Sequence, residues 1–195
     1  MQQDLSITTS VDLEAVNQML SAIGESAVST LDGEANADVA NAKRLLNEAN
    51  REIQSKGWTF NTYEQETLLP DVFSGLIPYS SDYLLLMTSG TRTPYVNRGG
   101  YVYDSVSKTD VFPSGIVVDI IKLQPLDEMP EPFRRLIVKT ASRRLNQRFF
   151  GAPEVDAALQ EEIAKATIDC NIYEVDYGSY NGIQGDNFIN GLLAR

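Results

Sequence analysis

The stretch Arg51-Glu52-Ile53-Gln54-Ser55-Lys56-Gly57-Trp58-Thr59-Phe60-Asn61 decides how this chain is built. Ahead of it, Val39, Ala42, Leu46, Ala49 and Ile53 recur at three- and four-residue steps, the period of a helix with one apolar face. Gly57 ends that period, because glycine takes the left-handed, helix-ending conformation without a Cβ penalty. The only tryptophan follows at once, and from Trp58 to Leu123 aromatic and β-branched clusters are broken by Pro, Gly, Ser and Asn every few residues. That change of period predicts short strands. Gly57-Trp58 is therefore read as the joint between a helical body and a β-rich part, with Trp58 as a core anchor at the seam.

Working outward, Ser10 stands before Val11, Leu13, Val16, Leu20 and Ile23, which share one helical face, and Gly24 is placed to stop that first helix. A polar loop around Asp32-Gly33-Glu34 leads into helix two. Within the β-rich part, Ile116 to Ile121 is a nearly continuous apolar run, expected in a strand that is central or covered on both faces. Tyr95-Val96-Asn97 and Tyr101-Val102-Tyr103 flank Arg98-Gly99-Gly100, and two adjacent glycines permit the positive φ angles of a hairpin turn. After Pro130 and Pro132, a stripe of Phe133, Leu136, Ile137, Ala141 and Leu145 predicts helix three, ending near Gly151. Pro153 opens a fourth helix to about Tyr173, with Val155, Leu159, Ile163, Ala166 and Cys170 inside.

Helices at both ends of a β-rich middle imply an α+β chain: an antiparallel helical bundle from residues 1–57 and 125–176, an inserted antiparallel β-rich region at 58–124, and an extended C-terminal arm at 177–195. The arm holds glycine and asparagine but also Tyr180, Ile183, Phe188, Ile189, Leu192 and Leu193. It is too apolar for an ordinary disordered tail and too short for a core of its own. Two readings stand side by side, an arm that orders on a partner and a tail folded back on its own domain.

The composition closes several functional classes. Twenty-seven acids against sixteen bases leave a net charge of −11, unsuited to a general nucleic-acid binder that neutralises many phosphates. There is no histidine, which excludes Ser-His-Asp and Cys-His catalysis and removes the commonest zinc ligand. One cysteine, Cys170, cannot form an internal disulfide and reads as a buried thiol. No phosphate-binding glycine motif occurs, and no cofactor is implied. No stretch approaches the ~18 apolar residues of a membrane span, and the first twenty residues hold neither Lys nor Arg, so no secretory signal is expected. Glu161-Glu162 and Asp127-Glu128 are the sort of carboxylate pair a glycosidase requires, but among twenty-seven acids such pairs arise by chance.

The charge pattern is sharper on helix three. Arg134, Arg135, Lys139, Arg143, Arg144 and Arg148 place six of the sixteen bases within fifteen residues, and Arg135, Lys139 and Arg143 form one line. The fourth helix offers Glu154, Asp156, Glu161, Glu162 and Asp169 as counter-charges, in the same chain or across a subunit boundary. A subunit interface built from Arg135, Lys139, Arg143, Glu161 and Glu162, a solvated face, and direct contact with DNA are the three readings.

Five segments then carry a family resemblance: Ala35-Asn36-Ala37-Asp38, Ile53 to Asn61, Leu68-Leu69-Pro70-Asp71-Val72, Tyr95 to Asp104, and Arg148-Phe149-Phe150-Gly151-Ala152-Pro153-Glu154-Val155. In this order, with Asp176-Tyr177-Gly178 and Gly191-Leu192-Leu193, they resemble the tail tubular protein A family of short-tailed, podovirus-type bacteriophages. The resemblance implies a structural virion protein of the tail, made in the host bacterial cytoplasm. It implies an adaptor ring of about twelve subunits between the portal protein and the tail nozzle protein, with duplex DNA passing through the lumen without specific binding and no membrane contact. Tyr180, Ile183, Phe188, Ile189, Leu192 and Leu193 would then form a portal-binding arm. The alternative is a tail-associated hydrolase acting on bacterial surface polysaccharide.

Overall fold

The computed structural model describes residues 10–31 and 37–177. The loop around Asp32-Gly33-Glu34 and the arm residues Tyr180, Ile183, Phe188, Ile189, Leu192 and Leu193 lie outside the described residues. Among the described residues, four helices and two antiparallel sheets make an α+β fold.

Helix α1 (Val11–Ala22) begins where the Ser10 hydroxyl accepts the Leu13 amide at 3.2 Å and ends before Gly24, whose φ is +82°. Its buried arc is Ala15, Val16, Met19 and Leu20; Leu13 falls on the edge of that arc and is half-buried. Helix α2 (Ala37–Gln54) buries Val39, Ala42, Leu46, Ala49 and Ile53 as its period requires, together with Leu45 and the amides Asn50 and Gln54. Helix α3 (Glu131–Leu145) touches α1, α2 and the last helix, α4 (Pro153–Tyr177). After Leu145 the chain makes one wide π-type turn, Asn146–Phe150, closed by Gly151 at φ +66° with its amide on Asn146 O at 2.7 Å. Helix α4 runs one turn beyond the expected Tyr173 and buries Leu159, Ala166 and Cys170, with Val155 and Ile163 half-covered. Residues of both chain ends share this core: Val16, Leu20, Leu45 and Ala49 pack with Phe133, Ile137, Leu145 and Cys170.

The β-rich part contains β1 (Thr62–Leu68), β2 (Tyr83–Thr88), β3 (Tyr95–Arg98), β4 (Tyr101–Asp104) and β5 (Ile116–Lys122). Strand β5 is central, in the order β1-β5-β2 and antiparallel to both neighbours. It is central without being covered everywhere, since Val117 stays exposed on one face while Val118 and Ile120 enter a second apolar core with Ile77, Leu86, Tyr95, Val102 and Phe112. Strands β3 and β4 form the expected hairpin, with Gly99 and Gly100 at φ +61° and +88°.

The joint is held by buried amides rather than by apolar packing alone. Gln54 Nε2 donates to Asn50 Oδ1 at 2.7 Å and to Gln124 O at 2.8 Å, and its own Oε1 accepts the Gln124 amide at 2.8 Å. Asn61, fully buried, donates from Nδ2 to Gln54 O at 3.0 Å and Lys122 O at 2.9 Å, while its Oδ1 accepts the Trp58 amide at 2.8 Å. The strand that leaves the helices and the one that returns are thus fastened to the same turn of α2. Buried amides keep such positions only when their donors and acceptors are met, as they are here. Trp58 donates its indole N–H to Ile53 O at 2.7 Å and lies 4.9 Å from Phe133, which Phe60 and Tyr173 also meet at 4.7 and 5.5 Å. The carboxylate of Glu174 accepts the Thr59 amide at 3.1 Å and its hydroxyl at 2.9 Å, so the end of α4 is tied to the joint as well.

Candidate assembly surfaces

Every basic residue of α3 and its following turn has a carboxylate of the same chain beside it. Arg135 meets Asp169 at 3.2 Å, Lys139 meets Glu162 at 2.7 Å and Arg143 meets Asp156 at 2.9 Å. The partners climb α4 in reverse order, so the two helices run antiparallel. Arg134 lies 3.2 Å from Glu131, Arg144 lies 2.6 Å from Glu52 and Arg148 lies 3.4 Å from Glu48. Within the chain, acids of α4 and α2 thus stand opposite the bases of α3 and its following turn. Glu161 is engaged by Lys165 at 2.8 Å, one turn along its own helix.

The Arg143 pair has the strongest geometry. Its guanidinium approaches Asp156 with Nε at 2.9 Å from Oδ1 and Nη2 at 3.1 Å from Oδ2, a two-pronged hydrogen bond, and Gln147 adds a donor to Oδ1 at 2.8 Å. Hydrogen bonding from Arg143 holds the Asp156 carboxyl below its ordinary range, and the Gln147 amide adds to this. Exposed pairs of this kind contribute little stability individually, so the row chiefly sets the register of α4 along α3. With its six cations matched by carboxylates, α3 offers no unmatched basic stripe to a duplex.

The groove between α1, α3 and α4, about 630 Å³, is lined by Glu14, Gln18, Ser21, Lys139, Leu159 and Glu162, with Lys139 already engaged by Glu162. Asp127 and Glu128 sit exposed on a single 3₁₀ turn, while Glu161 and Glu162 point to different lysines. Burial pushes the Cys170 thiol up to about 12, so it stays protonated. Among the described residues no cluster of His, Cys, Asp and Glu is arranged to hold a metal ion, and no helix is long and apolar enough to cross a membrane.

Two apolar surfaces went unread in the sequence. On the last turns of α4, Ile168, Ile172 and Val175 are exposed at steps of four and three, opposite the buried Ala166 and Cys170, while toward the start of the helix the same side carries the Glu161–Lys165 ion pair. A helical wheel with two apolar arcs half a turn apart was the available signal. At the far end of the β-rich part, the turn Asp71–Gly75 presents Val72 and Phe73 almost entirely to solvent. Its signal is an apolar pair set inside turn chemistry, Pro70-Asp71 before and Ser74-Gly75 after.

A fold in which helices from both sides of the sequence enclose one core and carry an antiparallel β-rich middle defines an α+β subunit. The family model for tail tubular protein matches residues 13–180, and the chain belongs to that family, a structural component of the bacteriophage tail. No curated protein matches the chain in a sequence comparison.

Proposed function

We propose that the chain is the adaptor of a short phage tail, assembling as a ring of about twelve subunits that joins the portal to the tail nozzle and forms part of the channel for DNA ejection. The family match carries the reading, because it spans residues 13–180, from α1 through the β-rich part to the end of α4. The charge supports it: with a net −11 and the cations of α3 engaged internally, the subunit makes few phosphate contacts that would retard a passing genome. In this ring Arg135, Lys139 and Arg143 act from within, holding α4 against α3, and contact between subunits falls to other surfaces. Residues 178–195, with Tyr180, Ile183, Phe188, Ile189, Leu192 and Leu193, dock on the portal.

Electron microscopy of the purified protein with and without portal rings tests the reading, with rings expected stacked on the portal. Portal rings that stay bare at saturating protein would refute the adaptor role. Deletion of residues 178–195 is expected to leave a folded subunit that no longer co-sediments with portal; undiminished co-sedimentation would remove the arm from the mechanism.

A further inference from the structure

We propose that the turn Asp71–Gly75 of one subunit seats Val72 and Phe73 on the outer stripe of α4, Ile168, Ile172 and Val175, of a second copy of this chain. The inference rests on the ring reading above and names the surfaces that meet.

The turn is built to present its side chains. Asp71 Oδ1 accepts the Phe73 amide at 3.1 Å, the Ser74 amide at 2.8 Å and the Ser74 hydroxyl at 2.9 Å. The backbone closes the turn from Gly75 N to Asp71 O at 2.9 Å, from Asp71 N to Leu76 O at 2.9 Å and from Phe112 N to Gly75 O at 2.8 Å. Within this frame Phe73 is 99% exposed and Val72 is 91% exposed. An ordered turn presents its side chains at little further entropic cost, the condition under which an aromatic residue serves as an anchor. Around it, Leu69 and Val111 are also exposed, with Leu76 bridging Val111. Four such side chains offer on the order of 500 Å², against the ~800 Å² that each partner brings to a standard interface.

The receiving face is implied by α4 itself. A helix apolar on opposite sides is explained by cover on both sides, and α3 supplies only one. The turn cannot reach this face in its own chain. Strand β1 leaves the joint at Thr62 and runs outward to Leu68, about 20 Å, before the turn begins, whereas Glu174 fastens the end of α4 back at the joint. One chain therefore carries two separated apolar surfaces, a projecting turn and a flat stripe. Different surfaces that meet head to tail close into a ring where the rotation from copy to copy closes.

Two single-surface variants make the test, Phe73→Asp and Ile172→Asp, both exposed positions, with circular dichroism and urea midpoints confirming the folded subunit. By light scattering the wild type is expected as a ring. Each variant alone should be monomeric, its association weakened by roughly 30-fold or more. The decisive sample is the mixture, because the intact stripe of the first variant accepts the intact turn of the second and both remaining surfaces are dead. A dimer with one copy of each variant, and nothing larger, is the expected result. A second measurement joins Phe73→Cys and Ile172→Cys in one chain, where oxidation should yield a ladder of covalent oligomers; Cys170 is buried and stays silent.

Variants that form rings like the wild type would overturn the pairing while leaving the adaptor reading intact. So would a Phe73→Asp ring that fails only to bind the nozzle protein, which would assign the turn to that partner. A mixture that stays monomeric, with deletion of 178–195 newly exposing the α4 stripe to a hydrophobic dye, would assign the stripe to the chain's own end and overturn the pairing too. A wild type that forms no ring at its highest soluble concentration or on the portal would overturn both.

Discussion

Helices α2 and α4 both pack against α3, yet their sequences answer to different surroundings. On α2 the buried Val39, Ala42, Leu45, Leu46, Ala49 and Ile53 occupy one arc, and the opposite side carries Lys43, Arg44, Asn47 and Arg51 in solvent. On the last turns of α4 the side opposite the buried arc is Ile168, Ile172 and Val175, with the Glu161–Lys165 pair earlier on that side. The first helix is accounted for by its own chain, while the second has an apolar face that the described residues leave exposed. The two helices differ in how much of their apolar surface the described residues of the chain cover.

The largest effect that would sharpen this contrast is Leu45→Ala on α2. Leu45 is fully buried, so the truncation should cost about 2–5 kcal/mol in urea denaturation. Ile168→Ala, on the outer face of α4, should stay within about 0.5 kcal/mol in the isolated subunit. Equal losses at the two sites would break the contrast. Next comes the joint to which both helices are tied: Gln54→Leu leaves the Gln124 amide and the Asn50 side-chain oxygen without their partner in a buried setting, a loss of about 1–3 kcal/mol by the same measurement. Gly57→Ala is expected to cost about 1–2 kcal/mol, since residue 57 holds φ +74°. A Cβ there would also stand 2.7 Å from Ile121 Cδ1, which has to turn aside.

The smallest effect is a pH dependence. The Asp156 carboxyl is depressed in the folded chain by its hydrogen bond from Arg143, so its contribution is complete above the ordinary carboxylate range and fades as pH falls through the lower, folded value. The difference in urea midpoint between wild type and Asp156→Asn should therefore be present at pH 6 and shrink below about pH 4. A difference that is constant across that range would show that ionisation of Asp156 adds nothing to stability.

Much of this fold is legible where local chemistry forces the backbone. Gly24 and Gly57 end helices, Gly99-Gly100 turn a hairpin, and the apolar run of β5 sits in the middle of its sheet because only a central strand tolerates it. Gly57-Trp58 marks the joint but not its fastening, since Gln54 and Asn61 are residue types that read as surface and become interior only when backbone groups 70 and 61 residues away supply their partners. The charged row on α3 was found and the acids opposite it named, yet helical spacing says nothing of whether a neighbour belongs to the same chain. The apolar stripe of α4 was hidden by looking for one face on each helix. Phe73 was hidden for another reason: in an irregular turn no period links sequence to exposure.

The buried amides at the joint also bear on how the chain gets from ribosome to fold. Bringing the ends of a flexible segment of some 70 residues together costs about 4 kcal/mol of chain entropy, beyond a constant term, and the helical core meets that cost if it closes first. Strands β1 and β5 are direct neighbours, paired at Thr62 and Ile121, so a folded insertion presents the helices with two chain ends one strand-spacing apart. Once it has formed, the core forms as though its halves were joined by a short link. The same geometry makes the middle of the chain exchangeable: a tight turn from Asn61 to Lys122, or another folded unit whose ends stand that close, would leave the path of the helices unchanged.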